Sequence, residues 1–313
     1  MKMIKIKNFA AKDRWNIPLL VKNVTKGVTN KGAPYLSITF QDNSGTMEGK
    51  FWDVKPEAEE QVIVGHVEQV EFEVLEYNRN LQMRVFRVTD IDQSEISMRD
   101  YLLSSAMKEQ ELRDRVDDLK ESINNQNMKK IVKAMFEKVD EKFFTYPAAS
   151  RIHHGYLGGL AEHTLGMADL AEEVVRLYPS LNRDLLIAGV LLHDVGKTAE
   201  LGGVISSEYT EEGKLLGHIS IGAGWLTEVC DEVGLGDSEE AILLKHMVLS
   251  HHGKQEYGSP VLPALKEAEV LSLIDNLDAR MNTLDQAMEG VKPGQWTQKI
   301  FALENRAFYK PKI

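Results

Sequence analysis

Histidine is concentrated in one part of this 313-residue sequence. Eight of its nine histidines fall between residues 153 and 252: His153, His154, His163, His193, His218, His246, His251 and His252. The chain has a single cysteine, Cys230, which excludes an intrachain disulfide and a zinc site built from several thiolates. Any metal that this chain holds must therefore be bound by imidazole and carboxylate groups.

Several of these histidines lie on the apolar faces of predicted helices. His163 precedes Met167 and Leu170 by four and seven residues, so its side chain points in the same direction as those apolar residues. His193 ends a helix that is apolar on nearly every side, and Asp275 lies on the apolar face of the last long helix. These spacings direct imidazole and carboxylate groups into the interior of a helical region.

Asp194 follows His193 directly, at the end of the same buried helix. A buried carboxylate without a cation is energetically costly, so a bound metal is the simplest explanation of its position. His218 begins another helix with an apolar inner face. Metal sites in helical bundles are built when several helices direct such groups toward one interior. Mixed imidazole and carboxylate ligands favour Mn²⁺, Fe²⁺, Co²⁺, Ni²⁺ or Zn²⁺ over Ca²⁺ or Mg²⁺.

Each of these features has a plainer explanation when it is taken alone. A single histidine on an apolar helix face is usually a hydrogen-bonded core residue, and His251 and His252 before Gly253 also suit a polar helix end. Lys197 suits the C-terminus of a helix, where its charge complements the helix dipole. The surplus of ligands argues for a reactive site, because a closed structural zinc site needs only about four of them.

The first ninety residues show a different pattern, with short alternating segments separated by turn-forming residues. Strands with a short acidic helical segment at 55–60 predict an OB-like barrel, a fold that often binds single-stranded nucleic acid. Helical spacing replaces strand alternation beyond residue 94. The fold class is therefore expected to be α+β in two domains, a small N-terminal β-barrel followed by an all-α helical bundle.

The distribution of charge limits the possible partners. A net charge of −11 argues against a protein that coats nucleic acid nonspecifically. Residues 1–90 carry 13 Lys and Arg against 12 Asp and Glu, so any nucleic-acid contact is expected to begin in that part of the chain, with a solvated basic arm as the alternative. The N-terminus lacks the apolar stretch of a signal peptide, and no apolar run is long enough to cross a membrane. We expect a cytoplasmic protein without a membrane partner.

The spacing of the candidate ligands resembles that of the HD-domain superfamily of phosphohydrolases. His163, the His193-Asp194 doublet and Asp275 match its H…HD…D pattern, and the doublet continues as the sequence HDVGK. The resemblance implies that these four residues hold one divalent ion.

Further histidines resemble the additional ligands of two-metal members of that superfamily. His218, His251 and His252 take those positions, and the resemblance then implies that Asp194 bridges two ions. His246 competes for the same role, so the sequence leaves one or two ions open.

The order of the two domains makes the resemblance more specific. An OB-like barrel ahead of an HD domain is similar to the bacterial YhaM-type 3′→5′ exoribonucleases, over about residues 15–290. This resemblance implies release of nucleoside 5′-monophosphates from single-stranded RNA, or also from DNA, with Mn²⁺ or Co²⁺ as activator. The expected boundaries are 1–92 for the nucleic-acid-binding barrel, 93–145 for connecting helices and 146–313 for the metal phosphohydrolase domain with a C-terminal tail.

Other residues are candidates for catalysis and for RNA contact. Bound metal ions would acidify water and neutralise phosphate charge, with Asp194 orienting the attacking water. Lys197 is a candidate phosphate contact, and His154 and Arg151 are candidate phosphate or general-acid groups. Bases of a single strand would stack on barrel aromatics beside basic residues. The candidates there are Tyr35, Lys50, Phe51, Trp52, Tyr77, Arg79 and Arg84.

Two other functions remain open at this stage. One is an HD phosphohydrolase that acts on a small nucleotide or a cyclic dinucleotide, with the barrel in a regulatory role. The other is a non-enzymatic OB binding module with a structural metal. A homo-oligomer is compatible with each of them, and the aromatic C-terminal stretch would suit a subunit interface or an RNA contact.

Overall fold

The computed structural model describes residues 4–29, 32–55, 59–77, 80–149, 154–203, 205 and 208–313. The chain separates into two compact units, Met1–Ser104 and Ser105–Ile313. Within the described ranges, no helix combines the length and apolar character needed to cross a membrane.

The first unit is a closed β-barrel. Its strands are β1 (Arg14–Val28), β2 (Pro34–Asp42), β3 (Gly45–Trp52), β4 (Val67–Tyr77) and β5 (Asn80–Asp90). They are hydrogen-bonded in the order β1-β2-β3-β5-β4, and β4 returns to pair with β1. The β3 and β5 strands run parallel, whereas the other pairs are antiparallel. The OB-like barrel predicted from the sequence is confirmed. The predicted helical segment at 55–60 falls partly outside the described residues.

The barrel strands follow the alternation seen in the sequence. In β4, the side chains of Val70, Phe72 and Val74 are buried, whereas those of Glu71 and Leu75 are exposed. Successive side chains of a strand point to opposite faces, so the apolar set fills the interior of the barrel. This pattern explains why the segment forms a strand with one buried face.

The second unit is all-helical, as predicted. Its helices are α1 (Glu109–Ser122), α2 (Gln126–Thr145), α3 (Gly159–Leu177), α4 (Arg183–Leu192), α5 (Lys197–Glu200), α6 (Glu211–Glu232), α7 (Glu239–Ser250) and α8 (Lys266–Met288). Their apolar faces enclose one continuous core.

The α4 helix lies at the centre of this core. All residues from Leu185 to Leu192 are buried, and the helix packs against α2, α3, α7 and α8. The side chain of Asn182 caps its N-terminus by accepting a hydrogen bond of 3.1 Å from the backbone N of Leu185. Each fully buried Leu contributes about 1.5–3 kcal/mol, so α4 is a rigid support for the residues that follow it.

The α6 helix is interrupted at Gly217, which has a φ of 72°. Glycine adopts this left-handed conformation without the steric cost that a side chain brings. His218 then begins the second segment of α6, as the sequence predicts, and its backbone N donates a hydrogen bond of 3.0 Å to Oε1 of Glu200. The interruption therefore aims the first residue of the new segment toward α5.

Candidate metal centre and nucleic-acid groove

Asp194 lies at the centre of the histidine cluster, and its two carboxylate oxygens face different groups. Oδ2 is 3.3 Å from Nε2 of His193 and 3.8 Å from Nε2 of His163. Oδ1 is 3.5 Å from Nε2 of His218 and 3.6 Å from Nε2 of His251. One carboxylate can therefore serve two neighbouring cation positions.

The group on the Oδ2 side consists of His163, His193 and Asp275. Each residue offers one ligand atom, and these atoms lie within 4.8 Å of one another. Nε2 of His163 is 3.3 Å from Oδ1 of Asp275. His163 lies on α3, His193 directly follows α4, and Asp275 lies on α8. Three separate helices therefore position this group. Sequence reasoning assigned the same residues to one interior.

The group on the Oδ1 side consists of His218, His251 and His252. Their ligand atoms also lie within 4.8 Å of one another. The ring centroids of His251 and His252 are 4.3 Å apart, and those of His218 and His252 are 5.1 Å apart. The doublet after α7 and the start of the second α6 segment therefore meet at one point.

The histidine rings are held through their Nδ1 atoms. Nδ1 donates to a backbone carbonyl in three of them: Val190 for His193 (2.8 Å), Val248 for His251 (2.7 Å) and Tyr257 for His252 (2.6 Å). A carbonyl oxygen only accepts, so Nδ1 carries the hydrogen and Nε2 keeps its lone pair. This tautomer is the one that binds metal through Nε2.

Several of these ligand atoms are buried and lack a hydrogen-bond partner among the described residues. They are Nε2 of His193, His218 and His251, and Oδ1 of Asp194. An unpartnered buried polar atom costs about 1–3 kcal/mol, and bound divalent cations would satisfy all four. The donor set fits divalent transition metals.

Two carboxylates that sequence reasoning missed contact the Nδ1 atoms of candidate ligand histidines. Oδ2 of Asp278 accepts a hydrogen bond of 2.6 Å from Nδ1 of His163. Oε1 of Glu200 lies 3.0 Å from Nδ1 of His218. Asp278 follows Asp275 by three residues on α8, so helical spacing could have revealed it. The contact of Glu200 joins α5 to α6, and no local pattern signals it.

The charges within the centre favour ionised carboxylates. Burial alone raises the pKa of Asp194, but the charge of Lys197 and the contacts of His193 lower that pKa well below its ordinary value. Burial lowers the pKa of His163, yet the hydrogen bonds to Asp275 and Asp278 raise it to about 9. Metal ligation needs ionised carboxylates and an unprotonated imidazole Nε2, so metal binding here would displace a proton from His163.

Comparison with known proteins assigns the family. The HD-domain family profile matches residues 160–280, a range that includes all the candidate ligands described above. A curated relative, 3′-5′ exoribonuclease YhaM from Geobacillus sp. (strain WCH70), is 43% identical over 307 residues, which cover 98% of this chain and 94% of that protein. The chain belongs to the YhaM-type exoribonucleases of the HD-domain family. These matches confirm the resemblance found in the sequence. Membership of the HD-domain family implies that the chain depends on a divalent metal. No solved structure matches.

A cavity of about 400 Å³ lies beside the candidate ligands of this YhaM-type chain. Lys197, His252 and Asp275 line it on the side of the metal centre. Its other walls include Tyr257, Ser272, Asn276, Arg280 and Thr283. Lys197 and Arg280 bring cationic groups to this cavity, and Asp275 and Glu304 bring carboxylates, a mixture that suits a phosphate group together with a divalent cation.

Lys197 lies where it can contact both the centre and the cavity. Its Nζ is 2.5 Å from Oδ2 of Asp194, and its side chain is nearly buried. Burial lowers the pKa of Lys197, but the charges of Asp194 and Asp275 raise it above the ordinary value of lysine. The ammonium group therefore stays charged beside the cavity.

His154 and His246 occupy other positions. His154 is buried behind His163. Its Nε2 donates a hydrogen bond of 2.9 Å to Asp278, and its Nδ1 accepts a hydrogen bond of 2.8 Å from the hydroxyl of Tyr156. The sequence predicted that His154 contacts phosphate, but His154 does not line the cavity. Nε2 of His246 accepts a hydrogen bond from the backbone N of Ala264, so its lone pair is engaged. Arg151 lies outside the described residues.

The barrel of the YhaM-type chain carries a groove of about 920 Å³. Trp52, Arg84 and Phe51 line it, together with Phe86 and Leu75. The Trp52 side chain is 45% exposed, whereas Phe51 is 8% exposed and packs mainly in the barrel core. Trp52 and Arg84 therefore offer an aromatic face and a cation in the same groove.

The remaining barrel candidates are placed differently. The ring of Tyr35 packs against Trp52 with centroids 4.9 Å apart, so it supports the groove from the neighbouring strand. Nζ of Lys50 donates a hydrogen bond of 2.6 Å to Glu48. Tyr77 is exposed and is not among the residues that line the groove. Arg79 is outside the described part of the chain.

Proposed function

We propose that this chain is a metal-dependent 3′→5′ exoribonuclease that degrades single-stranded RNA to nucleoside 5′-monophosphates in the cytoplasm. One observation carries the proposal: the two carboxylate oxygens of Asp194 face two separate groups of histidines. The 3′-5′ exoribonuclease activity of the 43% identical relative supports the direction of degradation and the substrate.

Two ions would be held on the two sides of Asp194. The ligands of the first are His163, His193, Asp275 and Oδ2 of Asp194, and those of the second are His218, His251, His252 and Oδ1 of Asp194. Imidazole and carboxylate donors suit Mn²⁺, which we propose as the activator, ahead of Co²⁺, Fe²⁺, Ni²⁺ and Zn²⁺. When bound, the ions acidify water and neutralise phosphate charge.

The residues of the chain position the substrate around these ions. Lys197 and Arg280 offer cationic groups to phosphate oxygens in the cavity, where charge develops during cleavage. Arg280 is paired with Glu304 at 2.9 and 3.1 Å, which fixes the direction of its guanidinium group. We propose that His154 acts through Asp278 to orient His163 and does not contact phosphate.

The barrel would hold the RNA strand while the helical unit hydrolyses its end. Bases stack on exposed aromatic side chains with little dependence on sequence, and Trp52 with Arg84 supplies such a surface. The proposed division of labour keeps residues 1–92 for RNA binding, 93–145 for connection and 146–313 for hydrolysis. The groove also favours RNA over a mononucleotide substrate, because a mononucleotide needs no surface that follows a strand.

A direct test uses single-stranded RNA labelled at its 5′ end, with Mn²⁺. The wild type should shorten the labelled strand one nucleotide at a time, because digestion from the 3′ end retains the label. Asp194→Asn should lose this activity by about 1000-fold or more, since loss of several kcal/mol of metal and charge stabilisation has that effect. Asp237→Asn, an exposed residue before α7, should behave as the wild type.

Other products would contradict the proposal in distinct ways. Immediate release of the labelled mononucleotide would show digestion from the 5′ end. Intact RNA together with hydrolysis of free nucleotides or cyclic dinucleotides would identify a small-nucleotide phosphohydrolase. The same assay with single-stranded DNA measures the preference between the two polymers.

A further inference from the structure

A separate cluster of titratable side chains lies in the barrel, where β4 begins and β5 ends. Glu68 in β4 is paired directly opposite Asp90 in β5. His66 precedes Glu68 by two residues, and the ligand atoms of the three residues lie within 4.8 Å of one another. The group is formed entirely by residues of the first unit.

Glu68 is placed where a carboxylate needs a partner. It lies two residues before Val70, whose side chain is in the barrel core, so strand alternation directs Glu68 to the same interior. The Glu68 side chain is 0% exposed. Neither carboxylate oxygen has a hydrogen-bond partner among the residues that the structure describes. Burial of a carboxylate without compensation is strongly unfavourable.

The surroundings of Glu68 add to this cost. Burial and then the charge of Asp90 raise the pKa of Glu68 to about 7. Like charges directly opposite each other on neighbouring strands are destabilising. Nδ1 of His66 is 3.9 Å from Oε1 of Glu68, and this nitrogen is also buried without a partner in the described part of the chain.

We propose that His66, Glu68 and Asp90 form a divalent-cation site in the barrel, distinct from the centre at Asp194. One imidazole and two carboxylates are donors that suit Zn²⁺ or Mn²⁺, with oxygen from water completing the coordination. His66 is 41% exposed and Asp90 is exposed, so an ion can enter from solvent. The buried Glu68 forms the inner wall of the site.

Such an ion would join the start of β4 to the end of β5. The backbone already fixes His66 on its other side, because its carbonyl oxygen accepts a hydrogen bond of 2.9 Å from the N of Val21. A cation held here ties the start of β4 to the end of β5 and removes the repulsion between Glu68 and Asp90. Its role is to stabilise the barrel, and it takes no part in hydrolysis.

The test compares the zinc content of the full-length protein and two glutamate variants by equilibrium dialysis against Zn²⁺ and elemental mass spectrometry. Glu68→Gln should bind one ion fewer per chain than the wild type at saturation. Glu71→Gln, an exposed glutamate of the same strand, should keep the wild-type content. An unchanged content in Glu68→Gln would overturn the site.

A second variant separates loss of metal from loss of folding. His66 is partly exposed, so His66→Ala should keep the wild-type circular dichroism spectrum and still bind one ion fewer. A folded His66→Ala variant with full zinc content would contradict the proposal. So would a Glu68→Gln variant that unfolds at a higher temperature than the wild type with unchanged zinc, since that result would identify a neutral buried carboxyl group.

Discussion

Asp278 accepts a hydrogen bond of 2.6 Å from Nδ1 of His163, and this contact leaves Nε2 of the ring facing Asp194 in the candidate metal centre. Gly166, one turn beyond His163, makes the approach possible, because a Cβ atom there would lie 2.9 Å from Oδ1 of Asp278. The α8 helix therefore contributes both the candidate ligand Asp275 and the residue that orients His163.

Loss of the Asp278 carboxylate should weaken metal binding without removing a ligand. Outer partners of ligating histidines are worth about 10- to 100-fold in metal affinity or activity, so Asp278→Asn should need 10- to 100-fold more Mn²⁺ for half-maximal hydrolysis. Asp285→Asn, on the exposed side of the same helix, should need the wild-type concentration. Equal Mn²⁺ requirements in both variants would show that Asp278 does not orient His163.

Gly196 in the HDVGK sequence should not tolerate a side chain. A Cβ atom at this position would overlap the backbone carbonyl oxygen of His218 and approach the backbone N of Gly222. We expect Gly196→Ala to lower the free energy of unfolding by about 1–3 kcal/mol in urea titrations. It should also lose the ion on the His218 side, because His218 must move away from Asp194.

The matched control for this substitution is Gly224→Ala in α6, the helix that carries His218. Nothing lies within 4 Å of a Cβ atom there, so the change should leave metal content unaltered and raise helix stability by about 0.5–1 kcal/mol. Similar unfolding curves for the two alanine variants would show that the close approach at Gly196 does not constrain the fold.

Removal of metal should lower the thermal stability of the helical unit. Binding to the folded state at a concentration of 100 Kd adds about 2.7 kcal/mol, and each kcal/mol shifts Tm by about 2–4 °C for a unit of this size. Mn²⁺ should therefore raise Tm by about 5–10 °C over the value in chelator, as measured by calorimetry. The Asp194→Asn variant should show a much smaller rise, and an equal rise would place the stabilising ion elsewhere.

The barrel groove should govern the affinity for long RNA. Stacking on an aromatic side chain is worth about 1–3 kcal/mol per base, so Trp52→Ala should raise the Kd for single-stranded RNA by about 5- to 150-fold. Tyr178→Ala removes an aromatic of comparable exposure from the helical unit and should leave Kd unchanged. Hydrolysis of a dinucleotide should be the same in all three proteins. Equal Kd values would exclude the groove as the RNA site.

The sequence alone predicted the two kinds of structure and most of the histidine and aspartate cluster. Period-two alternation predicts the barrel strands, and period-3.6 spacing predicts that His163 and Asp275 face the same interior as their apolar neighbours. These patterns are local, because the direction of a side chain relative to its own helix or strand depends on residues only a few positions away.

Tertiary structure decided which residues meet. His163 and Asp278 are 115 residues apart, and their contact depends on the packing of α3 against α8. Register likewise decided that the Trp52 side chain is exposed at the groove while its neighbour Phe51 lies mainly in the core. Tertiary packing also decided which histidines the two Asp194 oxygens face, since the two histidine groups lie on separate helices. Local periodicity gives a direction, whereas a distance between distant segments follows only from how the whole core packs.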